Sequence, residues 1–199
     1  MAAILVPFRG AEGKRRLAPA TAEARIALGL AMLADVLSAC VAVAPTTLLS
    51  ADEAAASVAA EVGAETFDDV PAGQGPAVAA ALGRLDAKPV LVVNADLPCL
   101  QPDDLRELLE ALPAGGIVVA RAADSTTNAL ALADADLFRP LYGPGSARRF
   151  LALAHPTVTV DHPNLADDVD TLADLRRVEH RSGPRTQMAL AMAGLAPVG

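Results

Sequence analysis

Tryptophan is absent from the 199-residue chain, and one Tyr and four Phe are its only other aromatics. The core must therefore be aliphatic, built from the Ala, Leu and Val that dominate a hydrophobic content of 53%. That content is ample for one core, so the length reads as one domain over residues 1–180, with residues 181–199 as a tail. The tail is either a short docked helix or a mobile end. Only two cysteines occur, Cys40 and Cys99, too far apart for metal-binding spacing; they predict reduced, packed thiols in a cytoplasmic protein. No uninterrupted apolar stretch reaches bilayer-spanning length, so no membrane partner is expected. The start, Met1-Ala-Ala-Ile-Leu-Val-Pro7, lacks the basic region and cleavage site of a signal peptide and reads as a first strand. His155, His162 and His180 show no ligand spacing, and no Ser/His or Cys/His pattern points to a nucleophile. Neither GxGxxG nor GxxxxGK[ST] is found; Arg15 stands where the latter needs Ser or Thr after Lys14.

Positive charge is also scarce. The net charge of −8 argues against nucleic acid, which needs a basic face. Of the two lysines, Lys14 lies in a basic cluster with Arg9, Arg15 and Arg16, while acid gathers at Asp161, Asp167, Asp168, Asp170 and Asp174. An acidic protein with one basic loop suits a small anionic ligand accompanied by a divalent cation.

The chain alternates strand and helix with short connections. Residues 3–7 form a strand and 8–19 a glycine-containing cationic loop. Thr21 caps a helix to about Ala39, where Ile26, Leu30, Leu33 and Leu37 recur at helical spacing. A strand lies within 40–50, a helix capped by Asp52 runs through Val62, and 64–67 is a strand. Residues 70–76 form a loop before an alanine-rich helix to about Leu85. Val90–Val93 is a continuous apolar run, as in strands buried on both faces. A helix over 102–112, strands at 115–120 and to Leu132, a helix near 147–154, a strand at 157–160 and a helix over 172–179 complete the pattern. The reading is an α/β domain with a predominantly parallel sheet and helices on both faces.

Three features carry chemistry. Asp96 emerges just past Val90–Val93, where open α/β sheets bind ligands, and desolvating it calls for a metal ion or another compensation. Capping of the next helix is the plainer role, but Asp103 and Asp104 are better placed for it. Asp168-Val-Asp170 puts two carboxylates on one side of an extended segment; with Asp96 they would make the oxygen set that Mg²⁺ takes. Asp167 reads as a solvated neighbour and Asp174 as a helix-surface acid, and the run could equally be a plain N-cap. The loop 9–16 offers glycines and cations to an anion. Finally, Thr126-Thr127-Asn128 and Gly143-Pro-Gly-Ser146 could hold a phosphate or carboxylate through backbone N–H groups and the Ser146 hydroxyl, or could be an ordinary turn and cap.

Taken together, Val6-Pro-Phe-Arg, Lys14-Arg-Arg-Leu-Ala-Pro19, Asn94-Ala-Asp-Leu-Pro98, Asp124-Ser-Thr-Thr-Asn-Ala-Leu130, Tyr142-Gly-Pro-Gly-Ser-Ala147 and Asp168-Val-Asp-Thr-Leu-Ala-Asp-Leu175 resemble one family. It is the 2-phospho-L-lactate / phosphoenolpyruvate guanylyltransferase family of coenzyme F-420 biosynthesis, matched in order over roughly residues 3–177. The resemblance implies a three-layer nucleotidyltransferase fold, GT-A-like and Rossmann-like, with a mostly parallel central sheet. It implies transfer of GMP from GTP to a phosphorylated three-carbon acid, with release of pyrophosphate. Asp96, Asp168 and Asp170 would hold Mg²⁺; Lys14 and Arg16, with Asp96, would be catalytic; Arg9, Lys14, Gly75 and Asp96 would bind the nucleotide. Gly143 and Ser146 would hold the acid together with Thr126 or Thr127.

Three positions depart from the family pattern. Arg9 replaces a usual Lys. Gly75-Pro-Ala stands in place of Gly-Leu-Asn and removes an Asn suited to reading base or ribose. Phe150 stands where His is common. A different acceptor, such as a sugar phosphate or a molybdopterin-type phosphate, and a non-catalytic nucleotide-binding role are the rival expectations. An Ala- and Leu-rich surface helix could also support a homodimer.

Overall fold

A computed structural model describes residues 1–10, 17, 20–68 and 73–195. Seven strands form one sheet: β1 (Ala3–Pro7), β2 (Thr46–Leu49), β3 (Glu65–Phe67), β4 (Val90–Val93), β5 (Ile117–Arg121), β6 (Thr127–Leu132) and β7 (Thr157–Val160), in the order β3-β2-β1-β4-β6-β5-β7. Six point the same way and β6 is reversed, pairing antiparallel with β4 and β5. Val93 of β4 therefore faces Ala129 near the start of β6. The carboxyl end of one strand and the amino end of the other meet at the same edge.

Burial on both faces follows from the alternation within β4. Leu91 and Val93 enter one cluster with α1 (Ala22–Val41), α2 (Glu53–Val62) and α4 (Pro102–Glu110); Val90 and Val92 enter the other, with α3 (Gln74–Leu82) and α5 (Ser146–Leu151). All four are at most 1% exposed, as an apolar run with no polar alternation dictates. The helices start where short polar residues can take orphan N–H groups. Thr21 accepts from Ala24 N, Asp52 from Ala55 N, and Gln101 with Asp104 closes a capping box on α4.

Several boundaries differ from those expected. Helix α1 runs two residues further, to Val41, and β2 begins only after Pro45, whose ring cannot donate to a ladder. Helix α3 ends at Leu82. The short α6 (Pro163–Ala166) was not expected; its start is fixed by His162 Nδ1 accepting from Asn164 N, a local cap with no periodic signal. By length and composition α1 could cross a membrane. Its apolar residues are instead covered by protein on two sides: Leu33 and Leu37 meet the sheet cluster, while Leu28 and Met32 pack with α7 (Leu172–Val178) and Leu190 of α8 (Pro184–Met192). Helix α8 is pinned by Asp35, which accepts from Arg185 N, Thr186 N and Thr186 Oγ1.

Candidate active site

At the ends of β1 and β4 lies a cleft of about 340 Å³, lined among others by Arg9, Gly10, Gln74, Asn94, Asp96 and Asp170. Asp96 and Asp170 come from segments 74 residues apart in sequence, and the sheet joins them. The backbone N–H of Val169 donates to the carbonyl of Asp96 at 3.0 Å, which docks the acidic run against the end of β4. Asp168 sits in the same neighbourhood. Burial raises its pKa, a hydrogen bond from Asn128 offsets part of this, and the charge of Asp96 adds to it. Asp167 is not the solvated neighbour expected. It is half-buried and ion-paired with Arg177 at 3.3 Å and with Arg181, which also donates to Asn164 Oδ1. Asp174 completes the capping box of α7 with Thr171 rather than acting as a surface acid.

The three candidate metal ligands are thus neighbours, two of them lining one cleft. Among the described residues no three His, Cys, Asp or Glu side chains make a ready-formed ligand cluster. What stands there is an all-oxygen donor set in which the charge of Asp96 helps to raise the pKa of Asp168. That suits a hard cation held by one or two carboxylates, its shell completed by water and substrate phosphates. Arg9 and Gly10, the described start of the basic segment, line the cleft; Lys14 and Arg16 lie outside the described residues.

On the far side of Asn94 is a second group. Ser146, fully buried, donates through Oγ to Thr127 Oγ1 at 3.0 Å. Thr127 is the threonine turned inward; Thr126 is half-buried, and its Oγ1 and N–H both go to Asp124 Oδ1. Ser146 N already donates to Gly143 O, so that N–H is not spare for an anion. The loop between is shaped by Arg149. Its guanidinium donates to the carbonyls of Leu141 (2.7 Å), Tyr142 (3.0 Å), Gly143 (3.4 Å) and Pro144 (2.6 Å). Four carbonyls turned toward one cation fix the loop as a unit. Phe150, in place of the family's His, is buried edge-on to Tyr142 with ring centroids 5.7 Å apart, so it belongs to the core.

Gly75 is buried, and a Cβ on it would come within 2.7 Å of Pro140 Cβ. Glycine there lets α3 pack against the 139–145 loop; Gln74, beside it, is the residue that lines the cleft.

The two groups are joined by amides that the sequence did not single out. Gln74 Nε2 donates to Asn94 Oδ1 (2.7 Å). Asn94 Nδ2 donates to Thr127 O and Asn128 Oδ1 (both 3.2 Å), and Asn128 Nδ2 donates to Leu165 O (2.9 Å) and Asp168 Oδ1 (3.2 Å). Asn94 and Asn128 belong to quoted motifs, but nothing in their spacing says that they touch.

Comparison with known proteins gives the chain's family and its fold relatives. A family model described as "Guanylyl transferase CofC like" matches residues 2–186. The phosphoenolpyruvate guanylyltransferase of Nocardia farcinica is 36% identical over 202 residues, covering 94% of this chain and 89% of that one. That of Mycolicibacterium smegmatis is 35% identical, covering 96% and 90%. Among solved structures, a protein of Desulfovibrio desulfuricans G20 provisionally described as a nucleotide-diphospho-sugar transferase superposes with a TM-score of 0.76 at 15% identity, covering 97% of this chain and 95% of that one. A Mycobacterium tuberculosis protein in complex with manganese gives 0.54 at 24%, covering 89% and 96%.

Proposed function

The chain belongs to the CofC-like guanylyl transferase family, and from that premise we propose that it transfers GMP from GTP to phosphoenolpyruvate or 2-phospho-L-lactate, a step of coenzyme F-420 biosynthesis in the cytoplasm. That it is an enzyme transferring nucleotide rests on the family and the fold; the acceptor, the metal and the site roles are our reading. The observation carrying it is the juxtaposition of an acidic cleft containing Arg9 with the Thr127–Ser146 pair, bridged by Asn94.

In this reading an oxygen of the acid's phosphate forms a bond to the α-phosphorus of GTP, the bond from that phosphorus to the bridging oxygen breaks, and pyrophosphate leaves. The attacking oxygen is already anionic, so no residue need remove a proton, in keeping with a sequence that shows no Ser/His or Cys/His pattern. The chain's task is alignment and charge compensation. Arg9, with Lys14 and Arg16, would meet the triphosphate. Thr127, Ser146 and the Arg149-braced loop at Gly143 would hold the acid with its phosphate turned toward the cleft. Asp96, with Asp168 and Asp170, would hold Mg²⁺, which supplies charge neutralisation at the phosphates when bound.

The test is pyrophosphate release from GTP and Mg²⁺ with phosphoenolpyruvate, 2-phospho-L-lactate and 3-phosphoglycerate in turn, with ATP and CTP as controls. Release with GTP and one of the first two acids is expected. Silence from folded protein with every acid overturns the reading, and release only with ATP or CTP overturns the choice of nucleotide.

A further inference from the structure

The amide chain Gln74–Asn94–Asn128 has a polarity that can be derived from its far end. Leu165 O and Thr127 O are backbone carbonyls and can only accept. Asn128 must therefore turn its Nδ2 toward Leu165, which leaves Oδ1 facing Asn94. Asn94 must turn its own Nδ2 toward Thr127 O and Asn128 Oδ1, so its Oδ1 faces Gln74. Gln74 is then compelled to donate through Nε2. None of these assignments depends on the protonation of Asp168, because the carbonyls alone impose them. Asn128 is 1% exposed, so it has no solvent to turn to instead.

The consequence lies at the open end. Gln74 is half-exposed at the first position of α3, does not cap that helix, and lines the cleft beside Asp96 and Asp170. With one N–H of Nε2 spent on Asn94, the amide orientation is set and Oε1 is its acceptor atom left to the cleft, accepting from no described group. The tight Gly75–Pro140 contact holds the first turn of α3 in place, so the amide is held at both ends.

We propose that Gln74 is a specificity-determining residue whose Oε1, oriented by Asn94 and Asn128, accepts a hydrogen bond from an exocyclic amine or a ribose hydroxyl of the bound nucleotide. The proposal rests on the reading that the cleft binds GTP. A nucleoside edge presenting an acceptor would meet Oε1 lone pair to lone pair and be disfavoured.

The experiment compares wild type with Gln74→Leu, and with Gln74→Met should the Leu variant melt early. GTP, ITP (which lacks the 2-amino group), 2′-deoxy-GTP and 3′-deoxy-GTP are the ligands. Binding is measured by calorimetry in the presence of Mg²⁺, and kcat/KM by pyrophosphate release. The variant is expected to lose about tenfold with GTP, as for one uncompensated hydrogen bond. One analogue is expected to be handled equally by variant and wild type, identifying the donor. No loss with GTP, or the same loss with all four ligands, overturns the inference. Binding decides the matter even for a wild type that turns over none of the acids, which would count against the functional reading alone.

Discussion

Where β1, β4 and the 168–170 segment meet at the cleft, carboxylates are gathered, and burial, together with the charge of Asp96, adds to the cost of ionising Asp168. Beyond Asn94, around β6, α5 and the loop between them, most polar groups are paired with one another: Ser146 donates to Thr127, and Arg149 gathers four carbonyls, with the buried Tyr142 hydroxyl the exception. The second region is largely paired in advance, so a ligand at Thr127 and Ser146 would exchange hydrogen bonds rather than supply missing ones. On the proposed function the first region offers a substrate charge, whereas the second offers shape.

Breaking the charged side should cost most. Asp96→Asn is expected to lower kcat on the order of a thousandfold while leaving the far-ultraviolet spectrum unchanged, since on the proposed function it removes a ligand of the metal that neutralises the phosphates. On the preorganised side, Ser146→Ala should act on the acid alone. We expect a rise of roughly ten- to a hundredfold in its KM with little change in the KM for GTP, from steady-state kinetics with each substrate varied. Arg149→Met should loosen the loop without removing a contact to substrate; about a tenfold rise in the same KM is expected, partly restored in Arg149→Lys.

A fourth measurement sharpens the contrast through pH. The folded-state pKa of Asp168 is raised, so its ionised form is the costly one in the fold. Without metal, stability should therefore rise as pH falls from neutral through that raised value, and a divalent cation should oppose the trend by favouring the ionised form. Saturating Mg²⁺ or Mn²⁺ is expected to raise Tm by roughly 5 °C near neutrality, and by less in mildly acidic buffer. Asp168→Asn should abolish the difference. Smallest of all, Thr126→Ala should change KM for the acid by less than about twofold, because its hydroxyl is held by Asp124.

Much of the fold was legible in the sequence because it is written in apolar runs. Val90–Val93 could hardly be other than a strand covered on both faces, and Thr21 and Asp52 mark their helices through local capping chemistry. The reversed strand was less legible, yet a signal existed: five residues separate Arg121 from Thr127, too few for the crossover that parallel strands need. The acidic and hydroxyl groups of the site could be read as types at spacings. The amides could not. Gln74, Asn94 and Asn128 are lone polar residues whose connection exists only once β6 lies antiparallel beside β4. The choice between Thr126 and Thr127 also needed coordinates, since which of two adjacent side chains enters the site depends on the register at the start of β6.

That reversed strand also divides the molecule along its own sequence. Thr127, Asn128, the braced loop, Ser146 and Arg149 all fall within one continuous stretch from β5 through α5, whereas the acidic cleft is assembled from residues before position 97 and after position 167. On the proposed function, the groups that choose the acceptor are thus confined to one stretch of chain and those that hold the nucleotide lie outside it, with β6 and its Asn128 tying the two parts together through the interior of the sheet.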